Sequence, residues 1–178
     1  DILVAAGIVS DGIDMSRYSD WLRMKRIFAW CLRFTWNCRS KKEDRKTGVL
    51  TFEEIKAAEH RVIKKVQQAE FSDEMEILKG DKELPKTSKL VALYPFLDDQ
   101  GLIRVGGRLK NVNISEEARH PAVLPGSHHV TRLMISDIHR RNGHVGVEHV
   151  LSLLRTECWV TEARTAIKTF LRHCFLCK

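Results

Sequence analysis

The sequence predicts a mainly α-helical fold with a small β-hairpin region and a C-terminal bundle of three short helices. Three observations support this. Apolar residues recur at helical spacing over much of the chain. One Asp-Asp-Gln-Gly segment separates two short apolar runs in the middle. The last fifty or so residues carry a His pair and a Cys pair, placed where a small bundle would begin and end.

The first helix is expected over Ser16–Cys38. Trp21, Met24, Phe28, Cys31 and Leu32 fall near a helical repeat, and Ile27, Trp30 and Phe34 widen the apolar face. Arg23, Arg26 and Arg33 sit among these aromatics, so a buried helix with basic edges is preferred to a helix on nucleic acid or on a membrane surface. Arg39 to Gly48 reads as a basic loop. Thr51-Phe52-Glu53-Glu54 has the capping-box pattern, in which hydroxyl and carboxylate each satisfy a free amide. The helix after it should turn Phe52, Ile55, Val62, Val66 and Ala69 inward. Ser72 is expected to cap a short continuation with Met75 and Leu78, and Gly80 to Lys86 breaks the pattern.

Pro95-Phe96-Leu97 and Leu102-Ile103-Arg104-Val105 flank Asp98-Asp99-Gln100-Gly101, which predicts a hairpin. Gly106-Gly107 follows it, within a stretch of changed character from Leu90 to Leu109. Pro121-Ala122-Val123-Leu124-Pro125 is expected to be an edge strand, since proline at both ends argues against a central one. Three short helices follow. Val130, Leu133, Met134 and Ile138 form the stripe of the first, which Asn142-Gly143 ends. Val147, Val150, Leu151 and Leu154 mark the second. Ala163, Ala166, Ile167, Phe170 and Leu171 mark the third, which starts near Thr161-Glu162. The expected organisation is a helical region over 1–86, a hairpin segment over 87–126 and the bundle over 127–178.

A bundle that small needs a staple. His139 and His144 are separated by four residues, and Cys174 and Cys177 by two. Two imidazoles and two thiolates suit tetrahedral zinc, and four protein ligands leave no open position, so the site is expected to be structural. His149 could compete with His144, but it lies on the second helix, where a surface role is simpler. His173 would point away from the ligands, and His128 and His129 precede the first helix. A redox role for the Cys pair lacks the strand-then-helix setting. Cys158 reads as a small buried residue. Cys31 and Cys38 have no His partner.

The chain has 178 residues and a formal net charge of +7. Residues 1–46 hold ten Lys/Arg against six Asp/Glu, and residues 120–178 hold eight against four, so both ends are basic. Such a surplus favours polyanionic partners. No apolar run reaches the roughly 20 residues of a membrane span. The opening Asp1-Ile2-Leu3-Val4-Ala5-Ala6-Gly7 is too short and lacks the basic flank of a secretory signal. Five cysteines, an odd number, fit a reducing compartment. With no initiator Met, the chain is expected to be a piece of a longer polypeptide.

His139-x4-His144, Gly146, the helix with Leu151 and Leu154, Trp159 and Cys174-x2-Cys177 together resemble the integrase zinc-binding (H2C2) domain. Upstream, Pro95 to Asp98, Gly101 to Leu109 and His120 to Pro125 resemble polyproteins of BEL/Pao-type LTR retrotransposons, as do Arg17 to Trp21, Ala29-Trp30 and Arg33-Phe34. Cys158 departs from the pattern, since an aromatic residue is more usual before Trp159. The resemblance implies a segment between reverse transcriptase/RNase H and the integrase catalytic core, with a zinc module that helps the integrase multimerise and hold element DNA in the nucleus. It implies no catalysis by this segment, because the Asp/Asp/Glu triad belongs to the core beyond the Cys pair. No small-molecule substrate and no membrane partner are expected.

A three-helix unit closed by zinc also resembles a helix-turn-helix arrangement. Arg164, Lys168 and Arg172, spaced by four, line one stripe of the third helix, and Arg140 and Arg141 are candidates to add to it. The stripe fits phosphate contact or a solvated face equally well. Two readings therefore stand. One is a zinc-dependent DNA-binding and assembly module of an integrase. The other is a domesticated or decayed fragment acting as a protein–protein module. An enzyme would need a nucleophile with a base or an open metal site, and the sequence offers neither.

Overall fold

The structure, a computed structural model, describes residues 13–107 and 119–178. The opening segment and the Arg108-Leu109 end of the hairpin motif lie outside the described residues. The chain forms two compact units, Asp1–Val62 and Ile63–Lys178. Six α-helices and a four-stranded sheet are formed among the described residues.

In the first unit, helix α1 (Trp21–Arg39) starts at Asp20, whose carboxylate accepts the Arg23 amide. Trp21, Met24, Phe28, Ala29 and Arg33 are buried, but Trp30 and Phe34 are exposed. The expected wide apolar face is therefore narrower, and its burial turns towards Ala29 and Arg33. Helix α2 (Phe52–Glu70) crosses the boundary between the units. Its capping box forms as expected: the Glu54 amide donates to the Thr51 hydroxyl and the Thr51 amide to the Glu54 carboxylate. The inward stripe differs from expectation. Ala58, Val62, Ile63 and Val66 are buried, whereas Phe52, in the first turn, and Ala69 are exposed.

Arg33 is the polar anchor of this unit. Its guanidinium donates to both Glu54 carboxylate oxygens and to the carbonyls of Gly48 (2.7 Å) and Val49 (2.8 Å). It thereby ties α1 to the loop before α2 and to the first turn of α2. The Arg33 hydrogen bonds hold the Glu54 carboxyl at about 2, against the upward push of desolvation, with the Thr51 amide and Lys46 assisting.

In the second unit, α3 (Ser72–Lys79) follows a one-residue break. Phe71, not Ser72, occupies its N-cap position, and Ser72 bonds to neighbouring Asp73 instead. Strands β1 (Phe96–Leu97) and β2 (Ile103–Arg104) pair antiparallel as the expected hairpin. Asp98 organises the turn by accepting the amides of Gln100 and Leu102, and Gly101 takes the left-handed conformation at φ 71°. Strand β3 (Ala122–Leu124) pairs antiparallel with β2 and parallel with β4 (Cys158–Val160).

β3 is thus a central strand, contrary to the expected edge position. The two prolines lie just outside its three residues and serve as acceptors: Pro121 takes the Val105 amide, and Pro125 takes the Thr131 hydroxyl. A missing N–H does no harm where only the carbonyl is used.

Met75, Leu90, Ile103 and Val123 form a core under this sheet. Gln67 of α2 reaches the same place. Its amide nitrogen donates to the Ile103 and Val123 carbonyls and its oxygen accepts the Ile103 amide, each at 2.8 Å. Between β3 and β4 run α4 (His129–Arg141) and α5 (Val147–Glu157), and α6 (Ala163–Leu171) follows β4. These three helices pack on one another around Leu133, Met134, Ile138, Val150, Leu154 and Ile167. Gly126 lies so close to Thr161 that a Cβ there would stand 2.3 Å from its carbonyl oxygen.

Two outcomes follow. Glu54 has a folded pKa below its unfolded value, so its stabilisation is complete above pH ~4.5 and is lost as pH falls towards 2. Glu54→Gln should therefore lower stability near neutrality by about 2–3 kcal/mol and shrink that gap on acidification. Thermal unfolding of both proteins from pH 7 to pH 3 measures the gap, and a pH-independent gap would contradict the assignment. Gln67→Leu strands the buried Ile103 amide and should cost about 2–3 kcal/mol in urea unfolding.

Candidate metal centre

His139 lies in the last turn of α4 with its side chain fully buried. Its Nδ1–H donates to the Val145 carbonyl at 2.9 Å, which fixes the tautomer and leaves the Nε2 lone pair facing the site. The Phe170 ring meets the imidazole edge-on at 5.9 Å. The helix ends two residues beyond His139, and the side chain and backbone of its C-cap Asn142 both donate to the Ile138 carbonyl. Gly143 (φ 73°) and His144 (φ 61°) then adopt left-handed conformations in succession. That reversal lets the His144 amide donate to the His139 carbonyl and brings the two rings to a centroid distance of 4.6 Å. Left-handed backbone is uncommon for a residue other than Gly, and the fold holds His144 there to aim its Nδ1.

The cysteines come from the other end of the bundle. α6 ends at Leu171, and Cys174 caps a 3-10 turn over Phe175–Cys177. The pair thus lies just beyond the helix and not in its last turn. Desolvation pushes both thiols up. At Cys174 the amides of Leu176 and Cys177, with the Cys177 thiol, outweigh it and hold the group below its ordinary value. At Cys177 the neighbouring Cys174 sulfur adds to the rise.

His139 Nε2 stands 3.0 Å from His144 Nδ1 and 3.4 Å from each of the two sulfurs. His144 Nδ1 stands 3.3 Å from Cys174 Sγ and 3.7 Å from Cys177 Sγ. All four donor atoms lie within 4.8 Å of one another. A tetrahedral ion with Zn–N of about 2.0–2.1 Å and Zn–S of about 2.3 Å requires N–N near ~3.4 Å and N–S near ~3.6 Å. The donor set and its spacing therefore fit one zinc ion. With four protein donors the coordination sphere is closed, so the ion's role is structural.

The competing histidines are engaged elsewhere. His128 Nδ1 accepts the Val130 amide at the start of α4, and burial, as the largest influence, keeps its pKa below the ordinary value. His173 Nδ1 donates to the Thr169 carbonyl, and His149 is exposed on α5. Cys158 is buried in β4.

The basic residues proposed from sequence divide into two sets. Arg164 pairs with Glu148 at 2.7 Å, and Arg141 pairs with Asp137 at 2.9 Å and Glu157 at 3.5 Å. Lys168 on α6 and Arg172 at its C-cap are exposed with no ion-pair partner among the described residues, and Arg140 is exposed at the end of α4. Sequence reasoning missed the Glu148 pairing, the Val145 carbonyl and the Phe170 ring, since each depends on how the helices meet.

The family model described as "Integrase zinc binding domain" matches residues 127–178, the segment that carries all four donors. No curated protein and no solved structure matches the chain.

Elemental analysis should find one zinc per chain, and Cys174→Ser or His139→Ala should abolish it. Chelation should remove much of the helical circular-dichroism signal of 127–178, because structural zinc contributes roughly 10–16 kcal/mol to small modules. Native secondary structure and thermal stability unchanged after stripping would rule out the structural role.

Proposed function

We propose that this chain is the non-catalytic, zinc-organised N-terminal part of a retroelement integrase, of the BEL/Pao type that its upstream motifs resemble, and that it supports DNA binding and multimerisation. The observation that carries this reading is the closed His139–His144–Cys174–Cys177 cluster inside a segment that matches the integrase zinc-binding model. A closed metal site builds a scaffold and leaves chemistry to another part of the parent protein.

On this reading the DNA contact is made through phosphates. Lys168 on α6 and Arg172 at its C-cap, one turn apart, offer two unpaired cations on one stripe. Arg140 adds a third charge at the end of α4. Arg164 and Arg141 are held by carboxylates and contribute less. Contacts of this kind position a duplex without reading its sequence. The parent element acts on nuclear DNA, which makes the nucleus the working compartment.

One observation favours protein contact beside DNA contact. Phe175 and Leu176, between the two cysteine ligands, are 90% and 72% exposed. A pair of large apolar side chains held on a zinc-fixed turn suits a second copy or another protein, as multimerisation requires.

The test is binding to a short duplex at rising salt. Changing Lys168 and Arg172 together to Ala should reduce the slope of log K against log[salt] by about 2. An unchanged slope would count against phosphate contact by α6. Phe175→Ser with Leu176→Ser should lower the association state measured by analytical ultracentrifugation while leaving zinc content intact.

A further inference from the structure

The first unit carries a surface that the zinc module does not use. A groove of about 500 Å³ lies along the C-terminal half of α1 and reaches the first turns of α2. Trp36, Arg39 and Lys46 line it, with Leu32 and Ala57 supplying apolar wall. The Trp36 side chain is 53% exposed, and the Lys46 ammonium sits 5.0 Å from its ring centroid. Arg33 and Glu54 also line the groove, and they neutralise each other there.

The charge around this groove is one-sided. Residues 36–46 contain five Lys/Arg (Arg39, Lys41, Lys42, Arg45 and Lys46) against Glu43 and Asp44. Arg39, Lys41, Lys42 and Arg45 are all exposed and have no ion-pair partner among the described residues. The Lys46 ammonium stacks on the Trp36 ring and also pairs with Glu54 at 4.0 Å, so a half-exposed indole, Arg39 and the basic 41–45 segment that follows it in sequence supply the chemistry of a base-stacking platform beside a phosphate track.

Geometry separates the possible polyanions. Duplex DNA keeps its base faces stacked inside and offers nothing to an indole. A membrane-lying helix needs its apolar groups on one face. On α1 the exposed aromatics are split, since Trp30 and Phe34 fall about 40° apart whereas Trp36 lies about 200° around the helix from Phe34. An unpaired base can use both the ring and the cations.

We propose that this groove binds single-stranded nucleic acid, with one base stacked on Trp36 and the flanking phosphates on Arg39 and the Lys41–Arg45 turn. This site belongs to the first unit and does not depend on duplex binding by α6.

The experiment uses the full zinc-loaded chain and three probes: fluorescein-labelled oligothymidine, a duplex of the same length, and phosphatidylcholine vesicles containing phosphatidylserine. Oligothymidine should bind with quenching of tryptophan emission. Trp36→Leu should weaken that binding about tenfold or more and remove most of the quenching, while Trp36→Phe should restore much of the affinity. Changing Arg39, Lys42 and Arg45 together to Gln should lower the salt slope by about 2. Lys168→Ala with Arg172→Ala should leave the tryptophan quenching by saturating oligothymidine in place, whereas Trp36→Leu removes it, so failure of the duplex reading and failure of this one are distinguishable. Equal affinity of wild type and Trp36→Leu, binding only to duplex or to vesicles, or no binding of oligothymidine would each overturn the proposal. Zinc content and circular dichroism of every variant establish that it is folded.

Discussion

Four electron-rich atoms crowded into one corner of a small bundle dictate the arrangement of its ends. Two imidazole nitrogens 3.0 Å apart, with sulfurs 3.3–3.7 Å from them, present lone pairs to a common point. A single cation can accept all four lone pairs at once, and the fully buried His139 ring lies away from water. Given the cation, each local oddity acquires a purpose. The left-handed Gly143–His144 reversal, the Asn142 stop and the 3-10 turn after Cys174 all deliver a donor atom to that point.

The metal does not hold the C-terminal helices alone. β4, lying between α5 and α6, pairs along its length with β3, and the Thr161 amide extends that pairing to the Leu124 carbonyl. β3 in turn pairs with the hairpin and is bridged by Gln67. The expectation of a bundle supported only by its staple therefore undervalued the sheet. Zinc orders the far side of the helices, and backbone pairing with residues well upstream orders the near side.

Much of this was readable because the signals are local. The spacing of His139, His144, Cys174 and Cys177 identifies the donor set. Thr51 and Glu54 announce the start of α2, and Asp98 with Gly101 announces the hairpin turn. The misreadings share a cause. Pro121 and Pro125 suggest an edge strand through the amides they lack, but the fold uses their carbonyls. Phe52 is apolar and so suggests burial, yet at the first turn of α2 it is exposed. Gln67 and Arg33 look like surface residues, and only distant chain segments reveal them as buried connectors. The β3–β4 pairing joins residues more than thirty positions apart, and no periodicity encodes such a partner.

The same pairing affects where this polypeptide can be cut. The segment matched by the zinc-binding family model starts at residue 127, three residues beyond the end of β3 at Leu124. A fragment severed there would keep every metal donor but leave the Cys158–Val160 ribbon with an open side, its peptide groups seeking another chain. Such a fragment would take up its ion and still tend to stick to its own kind. An expression boundary drawn upstream of the hairpin would avoid that hazard.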